Sequence, residues 1–205
     1  ESLLTYALTV EEISRGWMGV AGIIGSHSLS CWMIARFGTA EQKQAYLPAL
    51  ATGERRTGIA LTEPGAGTDL QGITTTARRD GDSYVLNGRK TWITNARHAD
   101  PLPVLCKTDP AAAPAHKGMS VLLVEAGTPG FEVIRDLPKL GYRGPETCEL
   151  VLDDVRVPAT ALLGGTEGRG LQQVLGALET GRINVASRAV GVAQEAYDQA
   201  LQSAL

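Results

Sequence analysis

The spacing of apolar positions changes its period twice along the chain. In residues 1–56 apolar side chains recur every three or four positions, as in helices with one buried face. Leu3, Leu4, Ala7, Leu8 and Ile13 suit a first helix; residues 16–37 suit a second, whose many small residues predict close packing. Gly38 stands as a C-terminal cap in the usual left-handed manner. Thr39-Ala40-Glu41-Gln42 then reads as a capping box opening a third helix. Its Thr hydroxyl accepts from a backbone N–H while Gln reaches back.

From Thr57 the period becomes two. Candidate strands fall at 58–62, 72–78, 83–86, 90–94, 104–107, 119–125, 131–135 and 147–157, separated by Gly, Pro, Asn and Asp. Asn87-Gly88 predicts a type I′ hairpin turn between two of them. Many short strands at this spacing point to a small antiparallel barrel or sandwich rather than a parallel βαβ sheet. After the glycine-rich stretch 164–170, read as a turn before a helix, the helical period returns. Ile183, Ala186, Val190, Ala193, Tyr197, Ala200 and Ala204 form its apolar stripe. No Gly, Asn or Pro stop follows, so the chain is expected to be the middle of a longer protein. The fold class expected is α+β: a helical N-terminal segment over 1–56, a β-domain over 57–163, and the start of a C-terminal helical bundle over 164–205.

Composition narrows the function classes. Net charge is −3 and no Lys/Arg run exceeds a pair, which argues against nucleic acid. Cys31, Cys106 and Cys148 are odd in number and lack Cys-x-x-Cys spacing, as expected of reduced thiols in a cytosol-like compartment. No uninterrupted apolar run reaches roughly 18 residues, so no membrane span is expected. His27, His98 and His116 lack metal-ligand spacing, and no Gly-x-Ser-x-Gly elbow is present, so neither a metal nor a serine hydrolase is expected.

Two segments carry candidate chemistry. Pro64-Gly65-Ala66-Gly67-Thr68 follows a predicted strand, and its glycines let backbone approach a ligand while the hydroxyl and N–H groups hold phosphate or a carbonyl. On its own it is more often a plain Pro-Gly turn. In Thr91-Trp92-Ile93-Thr94-Asn95, strand alternation puts Trp92 and Thr94 on one face, a planar ring beside a hydroxyl. That pairing suits an aromatic cofactor, although a lone Trp is more often core.

Together these segments resemble the acyl-CoA dehydrogenase family. Residues 60–72, from Ala60-Leu61-Thr62-Glu63-Pro64 to Gln71-Gly72, are similar to its first signature, and Asn87-Gly88-x-Lys90-x-Trp92-Ile93-Thr94-Asn95 to its second. Gly38-Thr39-x-Glu41-Gln42-Lys43, Leu140-Gly141, Asp154-Val155-x-Val157-Pro158 and Gly191-x-Ala193-Gln194 extend the resemblance in order over nearly the whole chain. It implies FAD in a cleft between β-domain and C-terminal helices. Ile59, Leu61 and Thr62 would contact the isoalloxazine, and Gly67 and Thr68 the pyrophosphate end of flavin and acyl-CoA. Trp92 would pack on the ring, and Thr94 would bond near N5. Thr68, Glu179 and Arg182 are implied substrate contacts.

The implied reaction is α,β-dehydrogenation of an acyl-CoA thioester, with electrons passing to an electron-transfer flavoprotein. The base implied for most of the family lies beyond Leu205; Gly181 occupies the alternative base position. A chain ending at Leu205 is therefore expected to lack dehydrogenase activity. Acyl-CoA oxidase, nitroalkane oxidase and flavin monooxygenase chemistries share the scaffold, and a catalytically incomplete domain is a further alternative. The resemblance also implies a homo-oligomer, a tetramer, in the cytoplasm, or in the mitochondrial matrix if eukaryotic.

Overall fold

In the computed structural model, which describes residues 2–205, helices α1 (Leu3–Phe37) and α3 (Gly170–Ala204) pack along each other beside a β-region. α1 starts where the Ser2 hydroxyl accepts from Thr5 N, and it breaks at Trp17 (φ −160°, ψ 102°) directly after Gly16. The two predicted helices are therefore two arms of one bent rod. By length and mean hydropathy alone α1 is apolar enough to cross a membrane. Its interruption and its burial against α3 are those of a core helix instead. Gly38 ends it differently from expectation: it is extended (φ −62°, ψ 153°), and it is glycine because a Cβ would sit 2.5 Å from Ile34 O. The capping box of α2 (Ala40–Thr52) forms as predicted: Gln42 N donates to Thr39 Oγ1 at 3.2 Å and Thr39 N donates to Gln42 Oε1 at 3.1 Å.

Six strands form one sheet: β1 (Thr76–Asp80), β2 (Ser83–Thr94), β3 (Leu102–Lys107), β4 (Met119–Val124), β5 (Phe131–Asp136) and β6 (Thr147–Pro158), ordered β4-β3-β1-β2-β6-β5. All neighbours are antiparallel except β1 and β3, which meet in parallel at Thr76 and Lys107. β4 and β5 are edges, so the sheet is not a closed barrel. It folds over itself: Leu102, Val104, Leu122 and Val124 of β3 and β4 share a core with Leu86, Leu150 and Val155 of β2 and β6. The opposite faces of β3 and β4 (Leu105, Met119, Val121, Leu123) pack on Met33, Leu50, Val174 and Ala177 of the helices. Burial on both faces explains why these two strands read as nearly unbroken apolar runs.

Three expectations are corrected. Asn87-Gly88 is not a hairpin turn; β2 runs through it, and the β1–β2 turn is Gly81-Asp82 between paired Asp80 and Ser83. Asn87 sits at a register shift, where its Nδ2 donates to Asp154 Oδ1 at 2.9 Å and its Oδ1 accepts from Asp154 N at 3.0 Å. Gly88 backs onto Thr75, whose Cα would lie 2.7 Å from a Cβ. The dipeptide thus marks a bulge and a close crossing. Second, 58–62 is an extended segment joined to β3 only through an isolated bridge at Ala60 and Val104, and the strand expected from 72 begins at Thr76.

Third, the apolar stripe of α3 faces away from α1: Ala186, Val190, Ala193, Tyr197 and Ala200 are exposed. The packed face is Asn184, Ser187 and Gly191, because the backbones approach so closely that a Cβ on Gly191 would collide with Glu11 O. Small side chains win that interface and leave the larger ones outward.

Candidate functional site

Extended segment 58–63 brings the first motif beside β2. Ala60 is tied to β3 by Ala60 N to Pro103 O (2.8 Å) and Leu105 N to Ala60 O (3.0 Å), and Thr91 N donates to Thr62 O at 2.9 Å. The turn that follows is closed by Glu63 N to Ala66 O (2.8 Å) and Ala66 N to Glu63 O (3.1 Å), with Pro64-Gly65 at its tip.

Beneath the turn lies an ion pair that motif reading gave no role. Lys90, with no exposed surface, donates through Nζ to Glu63 Oε1 at 2.9 Å and to Leu61 O at 3.0 Å. Glu63 also accepts from Thr74 N (2.6 Å), Thr74 Oγ1 (2.8 Å) and Thr75 N (3.0 Å). Burial alone would push its carboxyl pKa up, but the Lys90 ammonium and these donors hold it at about 2. Burial pushes the Lys90 ammonium pKa down, and the Glu63 charge opposes that. The available signal in the sequence was a lysine on an inward strand position. One cation thus joins the two motifs, some thirty residues apart, through the carbonyl of Leu61.

Trp92 is the strained residue of the site. It has φ 61°, in the left-handed region that bulky residues avoid, and lies where the β2–β6 register shifts between Lys90 and Ile93. It is 57% exposed, while Thr91 and Ile93 on either side are buried. Asn95 is left-handed too (φ 65°), pinned by Nδ2 donating to Ile23 O (3.0 Å) and Thr57 O (3.2 Å). Such backbone strain persists only where surroundings hold it, and it concentrates at ligand sites.

Thr94, between these two, opens into a cavity of about 180 Å³ between α1 and α3, shared with Gly22, Gly25, Leu29, Gly181 and Arg188. No Asp or Glu among the described residues lines it. Leu61 is buried against the helical core, Ile59 packs on that core, Thr62 is half-buried, and Gly67 and Thr68 are exposed at the far end of the turn. Glu179 is in a separate, wider groove of about 770 Å³ with Arg36, His116, Lys117, Arg169 and Leu175. Arg36, Lys117 and Arg169 make that groove basic beside the first turn of α3, with Glu179 as its one carboxylate among the described residues. Arg182 is exposed, lines neither space, and makes no hydrogen bond or ion pair among the described residues. The structure therefore gathers Ile59, Leu61, Thr62, Trp92, Thr94 and Gly181, places Glu179 in the second groove, and leaves Arg182 apart.

The cysteines are free thiols, and burial pushes Cys106 and Cys148 up to about 12 and Cys31 to about 11, so none is a thiolate nucleophile at neutral pH. His27 sits behind Thr57, away from both spaces, with Nδ1 accepting from Thr57 N at 3.3 Å and Nε2 lying 3.1 Å from Leu50 O. Among the described residues no cluster of His, Cys, Asp and Glu is placed to hold a metal.

Comparison with known proteins agrees with this geometry. Residues 58–155 match the family model of the acyl-CoA dehydrogenase middle domain, and residues 1–54 that of the N-terminal domain. The human mitochondrial short-chain specific acyl-CoA dehydrogenase is 43% identical over 202 residues, covering 98% of this chain and 48% of the relative. The crystal structure of an acyl-CoA dehydrogenase from Geobacillus kaustophilus superposes with TM-score 0.92 at 45% identity, covering 96% of this chain and 51% of that one. A glutaryl-CoA dehydrogenase from Mycobacterium smegmatis, solved in complex with FADH2, superposes with TM-score 0.90 at 37% identity, covering 98% and 50%. The chain spans about half the length of the relatives it matches.

Proposed function

The chain belongs to the acyl-CoA dehydrogenase family, and on that footing we propose that it forms the flavin-bearing part of an enzyme that dehydrogenates the α,β carbons of an acyl-CoA thioester. The observation that carries this reading is the exposed Trp92 in left-handed backbone, next to Thr94 at the mouth of a cavity. An indole kept in a strained, solvent-facing position buries little of its own surface, so it is of use as a wall for a planar ligand. The FADH2 held by the glutaryl-CoA dehydrogenase relative supports the same choice of ligand.

FAD, when bound, supplies the hydride acceptor. Trp92 would pack on its ring and Thr94 would hydrogen-bond to it. Ile59, Leu61 and Thr62 would contribute backbone and hydroxyl contacts, and Gly67 and Thr68 would hold its pyrophosphate end. Lys90 and Glu63 hold the Leu61–Thr62 backbone in place from below. The basic groove would receive the phosphorylated arm of coenzyme A through Arg36, Lys117 and Arg169, with Glu179 as a polar contact. Thr68 and Arg182, which lie outside this groove, are the other substrate contacts we propose. The α-proton goes to a carboxylate other than the residues lining the Thr94 cavity, since Gly181 offers none.

Electrons leave to an electron-transfer flavoprotein, and membership of the family favours a homo-oligomer. A cytoplasmic or mitochondrial-matrix setting fits the free thiols and the mitochondrial relatives. The test is flavin retention and the flavin absorption spectrum of the holoenzyme carrying Trp92→Ala or Thr94→Val. Weaker retention with the first and a shifted spectrum with the second are expected; if neither changes, the site assignment is wrong. Rapid peroxide release during aerobic turnover would overturn the assignment of the electron acceptor.

A further inference from the structure

The cavity that opens at Thr94 ends in a cation whose hydrogen bonding is incomplete. α1 and α3 run antiparallel here, so Leu29 faces Gly181, Gly25 faces Asn184, and Gly22 faces Arg188. Arg188 lies seven residues beyond Gly181, roughly 10 Å along the helix, and its side chain leans back toward that end. Nη1 donates to Tyr142 Oη at 2.8 Å, and the guanidinium stacks on the Tyr142 ring with Cζ 5.4 Å from the centroid. Nε is buried and has no partner among the described residues. None of the ion pairs among those residues includes Arg188.

The surroundings are built around this group. Tyr142 is held in the left-handed region (φ 57°), and a Cβ on Gly22 would collide with its ring and come 2.8 Å from Arg188 Nη1. A Cβ on Gly25 would come 2.5 Å from Asn184 Oδ1, and Asn184 Nδ2 donates to Tyr6 Oη at 3.0 Å. Two glycines of α1 therefore make room for polar side chains, where a site for a plain hydrocarbon tail would fill with Leu, Ile and Val. Near Gly181 the wall is apolar, from Leu29 and Val185; at the far end it is Tyr142 and Arg188. A guanidinium that lines a cavity and has no ion-pair partner among the described residues suits an anion that arrives from outside.

We propose that this cavity selects acyl-CoA substrates whose short chain ends in a carboxylate, bound by the Arg188 guanidinium while Nη1 stays on Tyr142. Charge-assisted hydrogen bonding to a guanidinium is a strong and specific way to recognise a carboxylate. At about 180 Å³ the space is small beside ordinary ligand pockets, which selects a short tail. The inference rests on the acyl-CoA reading above and names the class of acyl group.

Glutaryl-CoA and hexanoyl-CoA, tails of similar length with and without the terminal charge, are compared on the holoenzyme by kcat/KM and by calorimetric binding affinity. Preference for glutaryl-CoA by roughly 30-fold is expected, the worth of a charge-assisted hydrogen bond. Arg188→Met abolishes that preference through the glutaryl arm while changing hexanoyl-CoA by less than about threefold, and Arg188→Lys restores part of it. Equal or reversed preference in the unaltered protein, which needs no variant to fold, overturns the inference, as does an Arg188→Met protein that still prefers glutaryl-CoA. Failure of both thioesters to bind or to bleach the flavin overturns the acyl-CoA reading itself, and this inference with it.

Discussion

Replacing Lys90 by Met removes one charge of a buried pair and leaves the other. Lys90 is fully buried, Glu63 is 4% exposed, and their charged atoms are 2.9 Å apart, so almost no water screens the interaction. Breaking such a pair from one side costs about 3–5 kcal/mol, because the remaining carboxylate is stranded. The pH dependence gives an independent figure. A carboxyl held at about 2 in the folded chain, against an ordinary 4.5, contributes about 3 kcal/mol at neutral pH. The folded value is depressed, so this stability is fully present above the unfolded pKa and is lost as pH falls from about 4.5 to about 2. Urea unfolding at pH 7 and through that acid window measures both quantities. Lys90→Met should lose the larger amount at pH 7, and its remaining stability should fall less steeply with acid. The double variant Glu63→Gln/Lys90→Met keeps an amide oxygen for the Thr74 donors and removes both charges, so it should be more stable than either single variant. A Lys90→Met loss below about 1 kcal/mol, with an unaltered acid limb, would refute the reasoning.

Other consequences follow from single side chains. Gln42 uses its whole amide: Oε1 accepts from Thr39 N and Gly164 N, and Nε2 donates to Thr160 O and Leu162 O at 2.8 and 2.9 Å. Gln42→Ala should therefore cost about 2–4 kcal/mol in urea unfolding, and a loss under about 1 would contradict the bonding described. His27 is neutral in this arrangement, with Nδ1 accepting from Thr57 N, and burial pushes its pKa down. Its contribution is complete above the ordinary value near 6.5 and declines as pH falls below it, so a His27→Gln protein should show a flatter melting temperature between about pH 5 and 7. Unchanged slopes in that range would rule this out.

Local signals were enough where the cause of a structure is local. The α2 capping box depends on two residues three apart, and the two-sided burial of β3 and β4 shows in their own apolar runs. The motifs that resemble the family were likewise visible as short words, and the family models match over them. What escaped notice depends on partners remote in sequence. Asn87-Gly88 has the local chemistry of a turn, yet Thr75 crossing behind Gly88 and Asp154 pairing with Asn87 make it a bulge. The stripe on α3 has helical spacing, but close approach of α1 selects the face carrying Gly191. Lys90 and Arg188 have no local signal of their surroundings; the fold closes over one and sets the other at the end of a cavity.

Anaerobic titration of the holoenzyme with acyl-CoA, followed by flavin absorbance, tests the central claim most directly. The account predicts that flavin is bound and that a short acyl-CoA bleaches it in step with the appearance of enoyl-CoA. Flavin that stays oxidised with every acyl-CoA offered, or a protein that binds no flavin with Trp92 and Thr94 intact, would contradict it.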